Sequence, residues 1–480
     1  MTADRRWTAL LVLCAGMLMI VLDATIVNVA LPSIQGDLHF SQSALAWVVN
    51  GYLITFGGLL LLAGRLGDLL GRKRVFVVGL TLFTLASILC GVSENRTLLV
   101  VARFIQGLAG AGSGSVILGM IVTMFPDPRE QGRAIGIFSF VAATGGSIGL
   151  LAGGILTQTL SWHWIFLVNV PIGILTVLAA LRMVDDEPGL GLDRGADVAG
   201  AALVTSSLML GIYTIVETDQ YGWLSAHTLG LGALALVLFG AFLARQATAR
   251  EPLVPLRVFR GRTLVGANLT AAFMVVGFFS FFFLGTLYLQ RVLHYDALQI
   301  GLAILPVPTV IGALSLRASA QLNIRFGARN VLLTGLALSF FGLVWLARAP
   351  VGGTYLVDIL PSMLLLGFGA GVAFPALMTL AMADATPSDA GLASGLISTT
   401  QMVGGALGLA VIVTVAASRT AGLLAGGASQ AVALTGGYHL GFDIGAVLLG
   451  ASILVAATVI APPVRGGEAA AAPHAAWDAD

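Results

Sequence analysis

Fourteen apolar stretches, each of bilayer-crossing length, constrain this chain more than any other feature. A bilayer core needs about 20 apolar residues per helix. On that scale spans lie near 8–31, 45–63, 75–93, 98–124, 133–158, 164–182, 198–217, 226–244, 263–288, 298–317, 330–347, 356–382, 390–417 and 438–461. Backbone polar groups cannot go unpaired in hydrocarbon, so stretches of this kind have to be helices. Only 10% of the residues are charged and the mean hydropathy is +0.96. A soluble domain needs far more charge to cover its surface. The expected fold class is an all-α integral membrane protein with 14 transmembrane helices.

An even number of spans places both termini on one side. Nineteen of the 24 Lys and Arg residues then fall on the side of the termini. Four, Arg96, Arg291, Arg348 and Arg419, fall on the other, and Arg103 lies inside the membrane. Lys and Arg resist translocation, so the termini are expected in the cytoplasm. Trp47, Trp162, Trp164 and Trp223 fall near outer span ends, where indoles prefer to sit. Arg5 and Arg6 before the first run resemble the start of a signal peptide. That run is too long for one and contains an acid, so it reads as an uncleaved first helix.

The net charge of +1 argues against a nucleic-acid partner. Cys14 and Cys90 lie in separate apolar stretches without metal-ligand spacing and read as core residues. No His has metal-site context, no nucleotide loop of the form GxxxxGK[ST] occurs, and no nucleophile–base set is present. Neither an enzyme, a metal site nor direct use of ATP is expected.

The chain also repeats itself. Gly132, Ala134, Gly136, Gly145, Gly146 and Gly149 recur 259 residues later as Gly391, Ala393, Gly395, Gly404, Gly405 and Gly408. Gly110-Ala111-Gly112 matches Gly369-Ala370-Gly371, and Pro128 matches Pro387, at the same shift. The loop from Arg65 to Lys73 has a worn copy from Gln321 to Arg329, with Ile324 in the place of Asp68. Two parallel six-helix bundles follow, over 1–183 and 262–462. A linker at 184–261 holds inserted spans 7 and 8, and an Ala-rich, disordered cytoplasmic tail fills 463–480. Parallel repeats about an axis normal to the membrane are a transporter design.

Asp23 and Arg103 carry the chemistry. Each lies deep in an apolar span, where charge is costly and usually functional. At 1.5 Å per residue, Asp23 sits about 12 Å and Arg103 roughly 8 Å below the outer surface. A titratable acid near a permanent cation suggests ion-coupled transport. The plainer alternative is a buried ion pair that only fixes packing. Arg103, Gln106, Gly107 and Gly110 share one helix face. Glu217, Asp358 and Asp443 fall near outer span ends and read as solvated acids.

Four segments together resemble the major facilitator superfamily, in its fourteen-span drug:proton antiporter branch, over nearly the whole chain. Leu22-Asp23-Ala24-Thr25-Ile26-Val27-Asn28-Val29-Ala30-Leu31-Pro32 resembles that branch's first-helix motif. The run Gly64, Arg65, Leu66, Gly67, Asp68, Leu69, Leu70, Gly71, Arg72, Lys73, Arg74 resembles the superfamily's span 2–3 loop. Arg103-Phe104-Ile105-Gln106-Gly107 resembles the span 4 motif, and Trp162 to Gly173 a signature at span 6, with His163 where Arg is usual. Span 5 keeps Gly145, Gly149, Gly153 and Gly154 of the antiporter motif, a small-residue face for close helix approach, but has Leu150 in place of Pro.

The resemblance implies a proton-coupled exporter of amphipathic drugs or antibiotics, working by alternating access in a bacterial cytoplasmic membrane. Asp23 and Arg103 would line a central cavity and couple protons. Gly64, Arg65, Gly67, Asp68, Gly71 and Arg72 would form a cytoplasmic latch between the bundles. Asn50, Tyr52, Gln106, Asn268 and Gln401 are candidate cavity residues. The expected partners are a small amphipathic substrate, protons and lipid, with no cofactor beyond the proton, and the expected state is a monomer. The alternative function is a proton symporter for a nutrient or metabolite on the same fold.

Overall fold

The computed structural model describes residues 3–186, 188–191, 195–250, 252–254, 261–317, 319–382 and 390–460. The tail expected at 463–480 and parts of the 184–261 linker lie outside them. The first half contains α1 (Ala3–Asp37), α2 (Gln42–Leu70), α3 (Arg72–Gly91), α4 (Arg96–Met124), α5 (Pro128–Thr159), the short α6 (Trp164–Leu167) and α7 (Asn169–Met183). The inserted pair is α8 (Val198–Tyr221) and α9 (Ala226–Thr248). The second half contains α10 (Arg262–Arg291), α11 (Ala297–Ile304), α12 (Pro306–Arg317), α13 (Ser319–Phe326), α14 (Ala328–Leu346), α15 (Leu360–Ala381), α16 (Ala390–Ala425) and α17 (Gln430–Thr458).

Among the described residues thirteen helical spans are long and apolar enough to cross a membrane, with a shorter apolar stretch, Ile148–Thr159, in α5. The chain is an all-α multi-pass membrane protein. The tenth expected span is broken at Leu305 between α11 and α12, because Pro306 has no N–H with which to continue the ladder. Several helix starts carry side-chain caps: Ser41 accepts from the Ala44 N–H, Asn95 from Leu98, and Asp296 forms a capping box with Gln299.

The matched glycines occupy matched places. Gly145 and Gly149 of α5 abut Val21 and Thr25 of α1, whereas Gly404 and Gly408 of α16 abut Ala272 and Val276 of α10. Each helix therefore lays its glycine stripe on the first helix of its own half. The two loops match as well. Gly71 (φ +101°) and Gly327 (φ +80°) each take a left-handed conformation that suits glycine. Two residues on, Lys73 donates to the Leu181 carbonyl at the end of α7, and Arg329 donates to the Ala456 and Ala457 carbonyls at the end of α17. Both bonds place a cation where a helix leaves carbonyls unpaired.

The halves meet through α2 on α16, α5 on α11 and α12, and α1 on α10. Helix α8 packs against α2 and α16, so the inserted pair lies beside this seam.

Candidate functional site

Asp23 and Arg103 are in direct contact. Arg103 Nη1 lies 2.6 Å from Asp23 Oδ2, and neither side chain is more than 1% exposed. A buried charge pair survives only if its remaining polar atoms are also satisfied. The surrounding helices supply what is needed. Arg103 Nε donates to the Val48 carbonyl of α2 (2.8 Å), and Nη1 also donates to Gln106 Oε1 (2.7 Å). Gln106 Nε2 donates to Asp23 Oδ1 (2.8 Å) and to Ser87 Oγ of α3 (2.9 Å). Asn169 Nδ2, at the start of α7, donates to the same Asp23 oxygen (2.9 Å). Cys90 Sγ donates to Gln106 Oε1 at 3.6 Å.

Asp23 thus receives N–H bonds from three side chains, the surround of an ionised carboxylate. The guanidinium also lies 4.5 Å above the Tyr52 ring and 5.7 Å from the Phe166 ring, whose faces attract a cation. Five helices of the first half contribute a side chain or a carbonyl to this one cluster. The network is enclosed within the first half, where the resemblance implied that both residues line a central cavity.

Sequence reasoning missed Asn169, Ser87 and Cys90 as members. Asn169 stood inside the Trp162–Gly173 signature, and its signal was a lone amide between Val168 and Val170. Gln106, expected to face substrate, is instead fully committed to the ion pair. Tyr52 forms the floor beneath Arg103, with its hydroxyl unpaired among the described residues. Asn50 is fully buried with neither amide atom paired among the described residues. Asn268 bridges α10 and α16 by accepting from Thr400 Oγ1 (2.8 Å), and Gln401 Nε2 is buried and unpaired among the described residues. Of the five, Tyr52 and Gln106 meet at Arg103, and Asn268 lies in the second half on α10, bonded to α16. Asp358 accepts from the Thr354 N–H at 2.6 Å as a local cap, and Asp443 is exposed.

The α2–α3 loop is built as an ion pair plus close packing. Arg72 donates to Asp68 Oδ1 from Nε (3.2 Å) and Nη2 (3.0 Å), and from Nη1 to the Gly119 carbonyl of α4. A Cβ on Gly67 would overlap Val116. The linker lies on this loop: the Leu190 and Gly191 N–H groups donate to the Asp68 and Leu69 carbonyls, and Arg65 Nε donates to the Gly195 carbonyl. Among the described residues the hydrogen bonds of Asp68 and Arg72 run to one another, to α4 and to the linker.

The α5 glycines line two contacts. Gly145, Gly149 and Gly153 face α1 on either side of Asp23, and a Cβ on Gly149 would overlap Thr25. Gly154 faces α11, where a Cβ would come 2.9 Å from the Ala297 carbonyl oxygen. The Leu150 carbonyl stands against Gly301, so close approach continues at this position without Pro.

A family model described as the Major Facilitator Superfamily matches residues 13–409. The chain belongs to the Major Facilitator Superfamily. Its relatives include the puromycin resistance protein of Streptomyces alboniger, 36% identical over 93% of this chain and 90% of the relative. The cephamycin export protein of Amycolatopsis lactamdurans is 37% identical over 86% of each. A tetracenomycin C resistance and export protein of Streptomyces glaucescens is 34% identical over 86% of this chain and 77% of the relative. Among solved structures, a bacterial homologue of the human lysosomal transporter Spinster, inward-facing and unoccupied, superposes with a TM-score of 0.67. That comparison covers 97% of this chain and 100% of the other at 16% identity, a likeness of fold. This Major Facilitator Superfamily chain is a membrane transporter, not an enzyme.

Proposed function

We propose that this protein exports amphipathic small molecules of the antibiotic class across a bacterial cytoplasmic membrane, in exchange for protons. The observation that carries the reading is the buried Asp23–Arg103–Gln106–Asn169 network, together with relatives named as antibiotic resistance and export proteins.

Asp23 is the proton carrier. As a carboxylate it holds three N–H donors and ties α1 to α4 and α7. Protonation removes the charge that Arg103 faces and leaves the new O–H in need of an acceptor. Asn169 Oδ1 is buried and unpaired among the described residues, so a turn of that amide converts it from a donor into the acceptor the neutral acid requires. Arg103 keeps Val48 and Gln106 but loses its counter-ion. Uncompensated buried charge is costly, so the helices rearrange. The glycines of α5 pack on both sides of Asp23 and reach α11, a direct path from this change to the second half. The alternating-access cycle binds drug with Asp23 ionised and facing the cytoplasm, and releases it outside once Asp23 is protonated.

Everted vesicles made acid inside test this. A transported drug should release protons from wild-type vesicles and none from well-expressed Asp23→Asn vesicles. Full proton release or full drug resistance in Asp23→Asn would remove the proposed role of Asp23. Substrate entering together with protons would favour a symporter on the same fold.

A further inference from the structure

Outside the ion-pair network, an apolar furrow of about 600 Å³ opens between the inserted helix α8 and the first half. Helices α2 and α8 touch near mid-membrane, where Thr205 stands so close to Gly58 that a Cβ there would overlap it. Toward the Ser41 end of α2 they splay apart, and α4 forms the back of the opening. Phe40, Trp47, Phe104 and Tyr213 line it, with Met209 and Val101 on its flanks. The flanks are open sideways: Val101 is 48% exposed, Tyr213 41% and Met209 36%. Among the described residues one charged side chain lines the furrow, Arg96, at the first turn of α4. Arg96 is exposed and makes no ion pair among the described residues.

Geometry and charge together select an occupant. Arg96 and Phe104 are eight residues apart, so the furrow runs at least about 12 Å inward from the headgroup level. Its volume lies within the usual range of small-molecule sites, roughly 300–1,000 Å³. The cation at its mouth is reinforced by the positive end of the α4 dipole, which favours anions. Glu94 lies two residues away in sequence, but it does not line the furrow. A cationic amphipath would meet repulsion at the mouth. We propose that this furrow binds an anionic phospholipid of the adjoining leaflet, with phosphate on Arg96 and one acyl chain between α2, α4 and α8. In the orientation predicted from the basic residues, that leaflet is the outer one.

The purified full chain can be titrated with phosphatidylglycerol and phosphatidylcholine and its retained lipids counted by native mass spectrometry. A basic side chain near a membrane surface favours an anionic lipid by about 1 kcal/mol, a preference of roughly fivefold. Arg96→Gln should bring the two lipids to equal retention with both still bound. Ser206→Phe, which fills the furrow from an exposed position of α8, should cost one retained lipid of either kind. Brominated phosphatidylglycerol should quench the emission that Trp47→Phe removes. Equal retention of both lipids by the wild type, a preference untouched by Arg96→Gln, or unquenched Trp47 emission would overturn the assignment. Displacement of the lipid by a cationic drug at the same quencher distance would do so too.

Discussion

The two halves are built on one plan, yet among the described residues only the first carries a buried charge. Contacts of the glycine stripes align α1 with α10 by placing Thr25 opposite the same partner as Val276. Asp23 then corresponds to Met274, which is fully buried. At the repeat shift Arg103 corresponds to Ser362, which donates to the Gly342 carbonyl at 2.8 Å. The loops diverge in the same sense. Asp68 and Arg72 pair in the first half, whereas Ile324, at the Asp68 position in the second, is 87% exposed. The second half holds the same frame with apolar packing and hydroxyl-to-carbonyl bonds. The frame therefore does not need the ion pair, and the ion pair is free to serve coupling.

That comparison breaks most sharply at Arg103. Arg103→Leu leaves Asp23 buried without its cation, and losing one member of a buried pair costs about 3–5 kcal/mol. Yield and thermal stability should fall steeply. The double variant Asp23→Met/Arg103→Ser, which copies the second half, should recover both to near wild type while drug-coupled proton movement stays absent. A double variant as unstable as the single one would show that the pair is structural. Next in size, Asn169→Leu removes a hydrogen bond to a charged group, worth roughly 1.5–3 kcal/mol. Because Asn169 also serves the proposed acid form, its pH profile of drug-driven proton release should change shape, whereas Ser362→Ala should leave that profile unaltered.

Glycine replacements test the shared frame. Gly149→Ala and Gly408→Ala should each cost about 1–3 kcal/mol, since overpacking at a tight helix contact forces a backbone shift. Only Gly149→Ala should also slow transport, measured as efflux per folded molecule, because its partner helix carries Asp23.

The smallest effect concerns Asp197, the N-cap of α8. Burial raises its carboxyl, but bonds from the Gly200 N–H, Arg245 and Gln246 outweigh that and hold it below the usual carboxylate range. A lowered folded value stabilises the docked α8–α9 pair at pH above the unfolded value of about 3.9 and is lost as pH falls through the folded value. Proteolysis of the linker should therefore accelerate only in acid below that range, and Asp197→Asn should be equally susceptible at neutral pH.

Much of this was legible in the sequence because the bilayer imposes length and polarity on every span. The positions of Asp23 and Arg103 could be compared by counting residues, and the glycine repeat survived as a constant shift. The rest depends on helix rotation, which the linear pattern does not fix. Gln106 lies on the Arg103 face either way, but only the packed bundle turns it toward Asp23 and Ser87 rather than toward substrate. Asn169 meets Asp23 across 146 residues of chain through the entry angle of α7. The clasp of the linker on the Asp68 loop uses backbone groups of Leu190 and Gly191, which carry no side-chain signal.

The most direct test of the central claim is proton release on drug binding by purified protein in weakly buffered solution, compared between wild type and Asp23→Asn. The account predicts a pH-dependent proton release with wild type and none with Asp23→Asn, which mimics the protonated acid and should bind drug more weakly, with an affinity that no longer depends on pH. Equal proton release from both would contradict it and move the coupling site away from the buried pair.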